Sequence, residues 1–282
     1  MPELPEVETT LRGIQPFIEN AILTSVDVRN PALRWPVPTV RLESLIGQEV
    51  RRLYRRAKYI IFETSQGAMM LHLGMSGSVE IIKKSVAKNI RKHDHVDLIF
   101  EKKSTTSGKF EEWILRYHDP RRFGSLLFIE HGNASHPLLE MLGPEPLSDD
   151  LTGSYLFTQS RKRTVAVKNL IMNGHVVVGV GNIYASEALF IAKVRPMRPA
   201  GKVTKTEYER ISDAIKTVLA KAIAVGGTTL RDFTGSNGQA GYFSQKLNVY
   251  DRDKDGCRLC GTLIKRINIG QRSSFYCSSC QR

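Results

Sequence analysis

Four cysteines stand in the last 26 residues as Cys257-x2-Cys260 and Cys277-x2-Cys280, with sixteen residues between the pairs. Two thiolates two residues apart bend round one metal ion, and a second pair on the far arm of a short hairpin completes a tetrahedron. The spacing predicts zinc. With four protein sulfurs on one ion no position stays open for water, so the zinc is structural and the chemistry lies elsewhere. Two disulfides are the alternative reading, but a chain that opens Met1-Pro-Glu-Leu-Pro-Glu6 shows no secretory leader. Near that opening, Glu3 and Glu6 fall where a helix dipole prefers acids, and Pro2 and Pro5 suit a helix start.

The elements that hold these residues follow from periodicity. Val7, Leu11, Ile14 and Ile18 recur at helical spacing, predicting a helix from Glu3 to about Asn20. From about Ala21 to Glu130 the pattern turns to short apolar or alternating runs, such as Tyr59–Phe62, Met69–Leu73, His95–Phe100 and Ser125–Ile129. Separated by Gly, Pro and Asn clusters, they predict a many-stranded β unit, sandwich or barrel. The polar piece Glu101–Glu112 reads as a loose hairpin loop, and His131–Asp150, with three prolines, as a linker. Helical period returns from about Leu151 to Val225. Thr204-x-x-Glu207 is a capping box, Tyr208, Ile211, Ile215, Val218, Leu219 and Ala222 form one apolar stripe, and Gly226-Gly227 stops the helix. At 282 residues with a formal net charge of +13, two or three domains and a polyanionic partner are expected, nucleic acid before an acidic membrane surface. No apolar run reaches membrane-spanning length, and a cytoplasmic protein is expected.

Several segments together resemble the formamidopyrimidine-DNA glycosylase family of bacterial enzymes that excise oxidised purines from DNA. They are Met1-Pro-Glu-Leu-Pro-Glu-Val-Glu8, Arg55-Arg-Ala-Lys58, His72-Leu-Gly-Met-Ser-Gly77, Lys92-His-Asp-His-Val-Asp97 and Asp119-Pro-Arg-Arg-Phe-Gly124. Gly143-Pro-Glu-Pro-Leu147, Gly179-Val-Gly-Asn-Ile-Tyr-Ala-Ser-Glu187, Gly226-Gly-Thr-Thr-Leu230 and the cysteine hairpin follow in the family's order, so the likeness covers essentially the whole chain. It implies a multidomain α+β protein: a β-sandwich with an N-terminal helix over 1–132, a linker over 133–150, a helix–two-turn–helix domain with a lesion-capping loop over 151–245, and a zinc-finger β-hairpin over 246–282. The implied partner is damaged double-stranded DNA, bound by a monomer.

The resemblance also implies the site. Removal of Met1 would expose Pro2, a secondary amine with an α-amine pKa of about 8. Attack on the sugar C1′ by such an amine gives an obligatorily cationic iminium, an electron sink for β- and then δ-elimination. Glu3 is implied in proton transfer at the sugar ring oxygen, and Glu6 is a supporting carboxylate. Lys58 is implied at the backbone beside the damaged nucleotide, with His72, Asn182 and Arg272 completing a phosphate clamp, because a flipped nucleotide brings two phosphates close. Met75 and Phe123 would refill the space the base vacates, and Arg121 would donate to O2 and N3 of the orphaned cytosine. Gly179-Val-Gly-Asn182 opens a helix whose N-terminal amides can bind a phosphate. Glu187, Thr228, Thr229 and Tyr242 are implied in lesion recognition.

His93 and His95 share one face of a strand, yet the family likeness implies that His93, Asp94, His95 and Asp97 are structural and not a second metal site. Asn173 stands where the family usually has Asp, which would alter a hydrogen bond near the helical turn. The related endonuclease VIII branch, which prefers oxidised pyrimidines, is the nearest rival. Leu4, the Arg121–Phe123 pattern and the Gly-Gly-Thr-Thr loop favour the purine branch. A non-catalytic damage binder is the rival from another class.

Overall fold

A computed structural model of the chain describes residues 2–87, 89–104, 108–130, 136–226 and 247–282. They form two compact units, one of residues 2–140 with Gly226, the other of residues 141–225 and 247–282.

The first unit opens with α1 (Leu4–Ile18), whose Val7, Leu11, Ile14 and Ile18 are buried along one stripe. The strands β1 (Ile22–Val28), β2 (Arg52–Arg56), β3 (Tyr59–Glu63) and β4 (Gly67–His72) follow, with α2 (Thr39–Glu43) between the first two. Next come β5 (Ser78–Lys83), β6 (Asp94–Lys103), β7 (Phe110–His118), β8 (Ser125–Glu130) and a short α3 (Pro137–Glu140). They pair antiparallel into two four-stranded sheets, in the orders β1-β6-β7-β5 and β2-β3-β4-β8. Successive side chains on a strand face opposite ways. Ile60, Phe62, Met69 and Leu71 therefore meet Leu23, Leu98, Phe100 and Leu115 in the inter-sheet core, which also takes the α1 stripe. Their neighbours Ile61, Ala68 and Met70 face outward and are covered by Leu138 and Leu139 around α3. Burial on both faces explains why β3 and β4 are continuous apolar runs.

The polar piece 101–112, expected as a loose hairpin loop, does join a hairpin, but its ends 101–103 and 110–112 are strand. β6 reaches Lys103 and β7 starts at Phe110, with Glu101 opposite Glu112 and Lys102 opposite Glu111. The backbone ladder continues because the polar side chains find partners. Lys102 Nζ donates to the carbonyls of Pro16 (2.7 Å) and Glu19 (2.6 Å), Lys83 pairs with Glu111 at 2.7 Å, and Lys84 with Glu112 at 2.7 Å.

In the second unit lie α4 (Gly153–Ser160), α5 (Val167–Ile171), α6 (Asn182–Ile191), α7 (Lys205–Ala224) and the hairpin β9 (Lys265–Ile269) and β10 (Arg272–Tyr276). The Thr204–Glu207 capping box starts α7: Thr204 Oγ1 accepts from the Glu207 N–H and the Glu207 carboxylate from that of Thr204. The whole predicted α7 stripe is buried. Residues 183–190 of α6 are buried all round, as suits a helix at the centre of its unit. Segment 143–147, expected within a linker, is fastened to this unit where Gly143 N–H donates to Gly174 O and Val178 N–H to Pro144 O. Among the described residues no helix is long and apolar enough to cross a membrane.

Candidate active site and nucleic-acid interface

The start of α1 gathers three of the implied site positions, Pro2 just before the helix, Glu3 at its N-cap and Glu6 in its first turn. Pro2, Glu3 and Glu6 are all buried, and Glu6 Oε2 accepts from the Glu3 backbone N–H at 2.8 Å. Glu6 thus fixes the main chain immediately after Pro2. Two turns of chemistry then converge through Arg55, a residue that sequence reasoning left without a role. Its Nε donates to Glu8 Oε2 and its Nη1 to the Ala57 carbonyl, both at 2.9 Å. Ala57 is the first residue of the two-residue turn between β2 and β3 and lies at φ +54°, the sign such hairpin turns require. Lys58 is the second residue of that turn. Arg55 therefore ties the turn that carries Lys58 to α1, whose N-terminus follows Pro2 and Glu3 and whose first turn carries Glu6.

His72 ends β4, opposite Tyr59, and the two rings lie 4.8 Å apart. Its Nδ1 accepts from the Gly74 backbone N–H at 3.0 Å, so the ring proton sits on Nε2. Burial first, then the Lys58 and Arg34 charges, hold its pKa down to about 4. At neutral pH His72 is an uncharged ring with one N–H to donate, suited to a phosphate oxygen without adding charge.

Around it opens a cavity of about 770 Å³ lined by Leu33, Arg34, His72, Met75, Arg121 and Phe123 among others. Met75 and Phe123 expose 37% and 44% of their surface, large fractions for such apolar groups. The Arg121 guanidinium lies 4.8 Å from the Phe123 ring centre. The structure thus brings His72, Met75, Arg121 and Phe123 round one opening. Arg34, on the same wall and stacked on Trp35 at 4.7 Å, was missed because a lone Arg-Trp in a loop carries no spacing signal.

In the second unit, Gly179 at φ +80° turns the chain into α6, and Asn182 is that helix's first residue. Asn182 Oδ1 accepts from Lys168 Nζ at 2.7 Å, and its Nδ2 donates to the Ser273 carbonyl at 3.1 Å. Ser273 follows Arg272, which is exposed at the start of β10. The bond to Ser273 therefore fastens Asn182 to the residue next to Arg272. Lys168 is 1% exposed and also donates to Ser274 Oγ at 2.8 Å. Sequence reasoning missed it, since one Lys in a short apolar helix looks like a solvated face.

Glu187, implied in lesion contact, is instead buried, and its carboxylate accepts four hydrogen bonds. They come from the backbone N–H groups of Asn248, Val249 and Tyr250 and from Asn248 Nδ2, at 2.8–3.0 Å. Both oxygens are committed to residues 248–250, and the residue is an anchor. Thr228, Thr229 and Tyr242 lie outside the described residues. Asn173 Oδ1 accepts from His175 N–H at 3.0 Å, a bond the amide oxygen makes as a carboxylate would. The His93–Asp97 segment is structural. Asp94 takes Arg91 and His118, Asp97 takes Arg116 and Arg29, and His95 Nε2 meets the Asp119 carbonyl at 2.8 Å. Hydrogen bonds from Arg91 and His118 to Asp94, and from Arg116 and Arg29 to Asp97, outweigh burial and leave both carboxyl pKa values lowered.

The four cysteine sulfurs all lie within 4.8 Å of one another, with Cys257–Cys280 at 3.9 Å and Cys260–Cys277 at 3.5 Å. Tetrahedral sulfurs about 2.3 Å from zinc are separated by roughly 3.8 Å, so the cluster has the size of a filled site. The N–H groups of Leu259 and Cys280 point at the Cys257 and Cys277 sulfurs. These cysteines hold one structural zinc.

Profiles of known families match the chain in three places. The formamidopyrimidine-DNA glycosylase N-terminal domain matches residues 1–126, the H2TH domain of the same enzymes residues 142–234, and the zinc finger found in FPG and IleRS residues 257–282. Formamidopyrimidine-DNA glycosylase of Thioalkalivibrio sulfidiphilus is 53% identical over 282 residues, covering 100% of both chains. Among solved structures, MutM (Fpg) from Thermus thermophilus is 34% identical with a TM-score of 0.84, covering 99% of this chain and 98% of that one. A Lactococcus lactis Fpg variant in complex with Fapy-dG-containing DNA is 29% identical with a TM-score of 0.88 over 100% of both.

Proposed function

The chain belongs to the formamidopyrimidine-DNA glycosylase family, and on that premise we propose that Pro2 is its nucleophile and the residues around the α1 start and the β2–β3 turn its catalytic centre. The protein is a base excision repair enzyme, a DNA glycosylase and abasic-site lyase that acts on oxidised purines in damaged duplex DNA. The observation that carries the catalytic reading is the burial of Pro2, Glu3 and Glu6 at the start of α1, a helix that Arg55 binds to the Lys58 turn.

With Met1 removed, the neutral Pro2 nitrogen bonds C1′ while the glycosidic bond breaks, and the base leaves with the bonding pair and takes up the proton that the Pro2 nitrogen gives off. Glu3 delivers a proton to the ring oxygen O4′ as the sugar opens, leaving a cationic iminium. The cation acidifies the C2′ proton, whose loss expels the 3′-phosphate. A second proton loss, at C4′, expels the 5′-phosphate. Lys58, the neutral His72, Asn182 and Arg272 hold the phosphates of the pinched backbone, while Met75 and Phe123 fill the vacated stack and Arg121 reads the opposite cytosine. Thr228, Thr229 and Tyr242 supply the polar contacts to the extruded base that the family likeness implies. The enzyme works as a cytoplasmic monomer.

Borohydride reduction tests this reading by trapping the iminium on lesion-containing duplex. The processed chain should form the covalent adduct. A chain retaining Met1 holds the Pro2 nitrogen as an amide and should bind the lesion without trapping. Equal trapping by a Met1-retaining sample, verified by mass spectrometry, would assign the nucleophile to another amine.

A further inference from the structure

Asp119 is fully buried, yet it lies two residues from the exposed Arg121 and four from Phe123. Its carboxylate is the meeting point of three hydrogen bonds. Oδ1 accepts from Ser76 Oγ at 2.8 Å, and Oδ2 from the Tyr117 hydroxyl at 3.0 Å and from the Gly124 N–H at 2.9 Å. Ser76 Oγ in turn accepts from the Arg121 N–H at 3.3 Å. A hydrogen-bond chain therefore runs from the Arg121 backbone through Ser76 to Asp119. It crosses between two turns 43 residues apart in sequence, the one that presents Met75 and the one that presents Arg121 and Phe123.

The turns are also in steric contact. A Cβ on Gly74, which lies at φ +66°, would stand 2.4 Å from Gly124 N and 2.5 Å from Phe123 C. A Cβ on Gly124 would stand 1.8 Å from the Tyr117 hydroxyl. Burying a carboxylate is costly unless its oxygens are well satisfied, and a buried polar network that is fully satisfied holds its members in one arrangement. The apolar groups carried on this network, Met75 and Phe123, are the ones left in solvent.

We propose that Asp119 is a positioning residue which, through Ser76, Tyr117 and Gly124, fuses the Met75 turn and the Arg121–Phe123 turn into a single rigid wedge. Filling the vacated stack and reading the opposite base are then one event. The proposal rests on the reading that these three side chains enter the duplex. A side chain on a fused wedge cannot be removed without slackening its neighbours, whereas side chains on independent turns act separately.

Single-turnover excision of an oxidised purine opposite cytosine tests it. In the parent, Met75→Ala and Phe123→Ala should be strongly non-additive, the double variant losing no more than about twofold beyond the worse single one. Ser76→Ala removes the hydrogen-bonded bridge between the turns, the bond to Asp119 Oδ1 and the one from the Arg121 N–H, and leaves their steric contact in place. It should slow excision about tenfold, with cleavage of a preformed abasic site, which needs no stacked base displaced, within about twofold of the parent. In the Ser76→Ala background the Met75 and Phe123 effects should multiply. Asp119→Asn should behave the same way, and if that variant does not fold, Ser76→Ala decides alone. Multiplicative effects in the parent, undiminished non-additivity after Ser76→Ala, or parental excision by Ser76→Ala would each overturn the proposal. Failure of the reading that these side chains enter the duplex is distinguishable, because Met75→Ala and Phe123→Ala would then each excise at the parental rate.

Discussion

A hydrogen bond from one backbone amide decides what His72 is. With Gly74 N–H on Nδ1, the imidazole proton must be on Nε2. Burial and the neighbouring cations keep the ring neutral down to about pH 4. Its pKa is depressed on folding, so the neutral ring's contribution to stability is complete above the unfolded value of about 6.5. It drains away as pH falls from there toward 4, because only the unfolded chain takes up the proton in that window. NMR of the imidazole in the folded enzyme should show no titration between pH 5.5 and 8, and a midpoint near 6.5 would mean that the ring is not held as described. Arg121 makes a second prediction at this scale. Cytosine offers adjacent O2 and N3 acceptors, whereas adenine sets an amino group beside N1. Arg121→Ala should therefore lose about 1–3 kcal/mol of preference for lesions opposite cytosine, mainly by slowing that substrate. Single-turnover rates on the two duplexes give the ratio, and an unchanged ratio would move base reading elsewhere.

The zinc hairpin shows what a small element needs. Strands β9 and β10 have five residues each, joined by a tight turn at Gly270 with φ +62°. Ile264, Phe275, Cys257 and Cys277 pack with Val249 and Phe190 of the helical unit. Gln281, fully buried, accepts from Cys277 N–H and donates to the Val194 carbonyl, and Arg195 Nε donates to the Gln281 carbonyl. An element of this size depends on its metal for folding energy. Cys277→Ser should lose stoichiometric zinc and weaken DNA binding at least about tenfold by misplacing Arg272, while the β-sandwich stays folded. Parental affinity in a zinc-free variant would contradict this. Gln281→Ala leaves a buried donor and acceptor unmet and should cost about 2 kcal/mol in urea unfolding of this unit. A loss below a few tenths would show that water replaces the amide.

For the molecule as a whole, charge sets the terms of DNA binding. A chain with 41 Lys and Arg against 28 Asp and Glu carries a formal +13. Part of that charge is neutralised at home, where Arg29 and Arg116 pair with Asp97 and Arg55 with Glu8. Only cations that displace counterions from phosphate change the salt dependence. Lys58→Ala and Arg272→Ala should each flatten the plot of log affinity against log salt by about one unit on damaged and undamaged duplex alike. Affinity measured across a salt series checks this, and two parental slopes would remove both side chains from the backbone contact.

Local physics made much of this legible in sequence. Cysteine spacing sufficed for the zinc, because four ligands at fixed separations leave few other folds for a short hairpin. The α1 and α7 stripes were readable, since period and caps are properties of neighbours in the chain. The Pro2, Lys58 and Arg121 roles came from likeness to a family and not from any pattern in their own segments. Tertiary structure alone decided what depends on partners distant in sequence. The ends of the stretch, 101–103 and 110–112, are strand, with Lys102 meeting carbonyls at the end of α1 and Glu111 and Glu112 meeting Lys83 and Lys84. Glu187 became an anchor because three amides 61 to 63 residues away meet its oxygens. Arg55, Lys168 and Asp119 showed no signal of their own, for a charged residue reveals its task only through the buried group it touches, and the fold alone brings that group within reach.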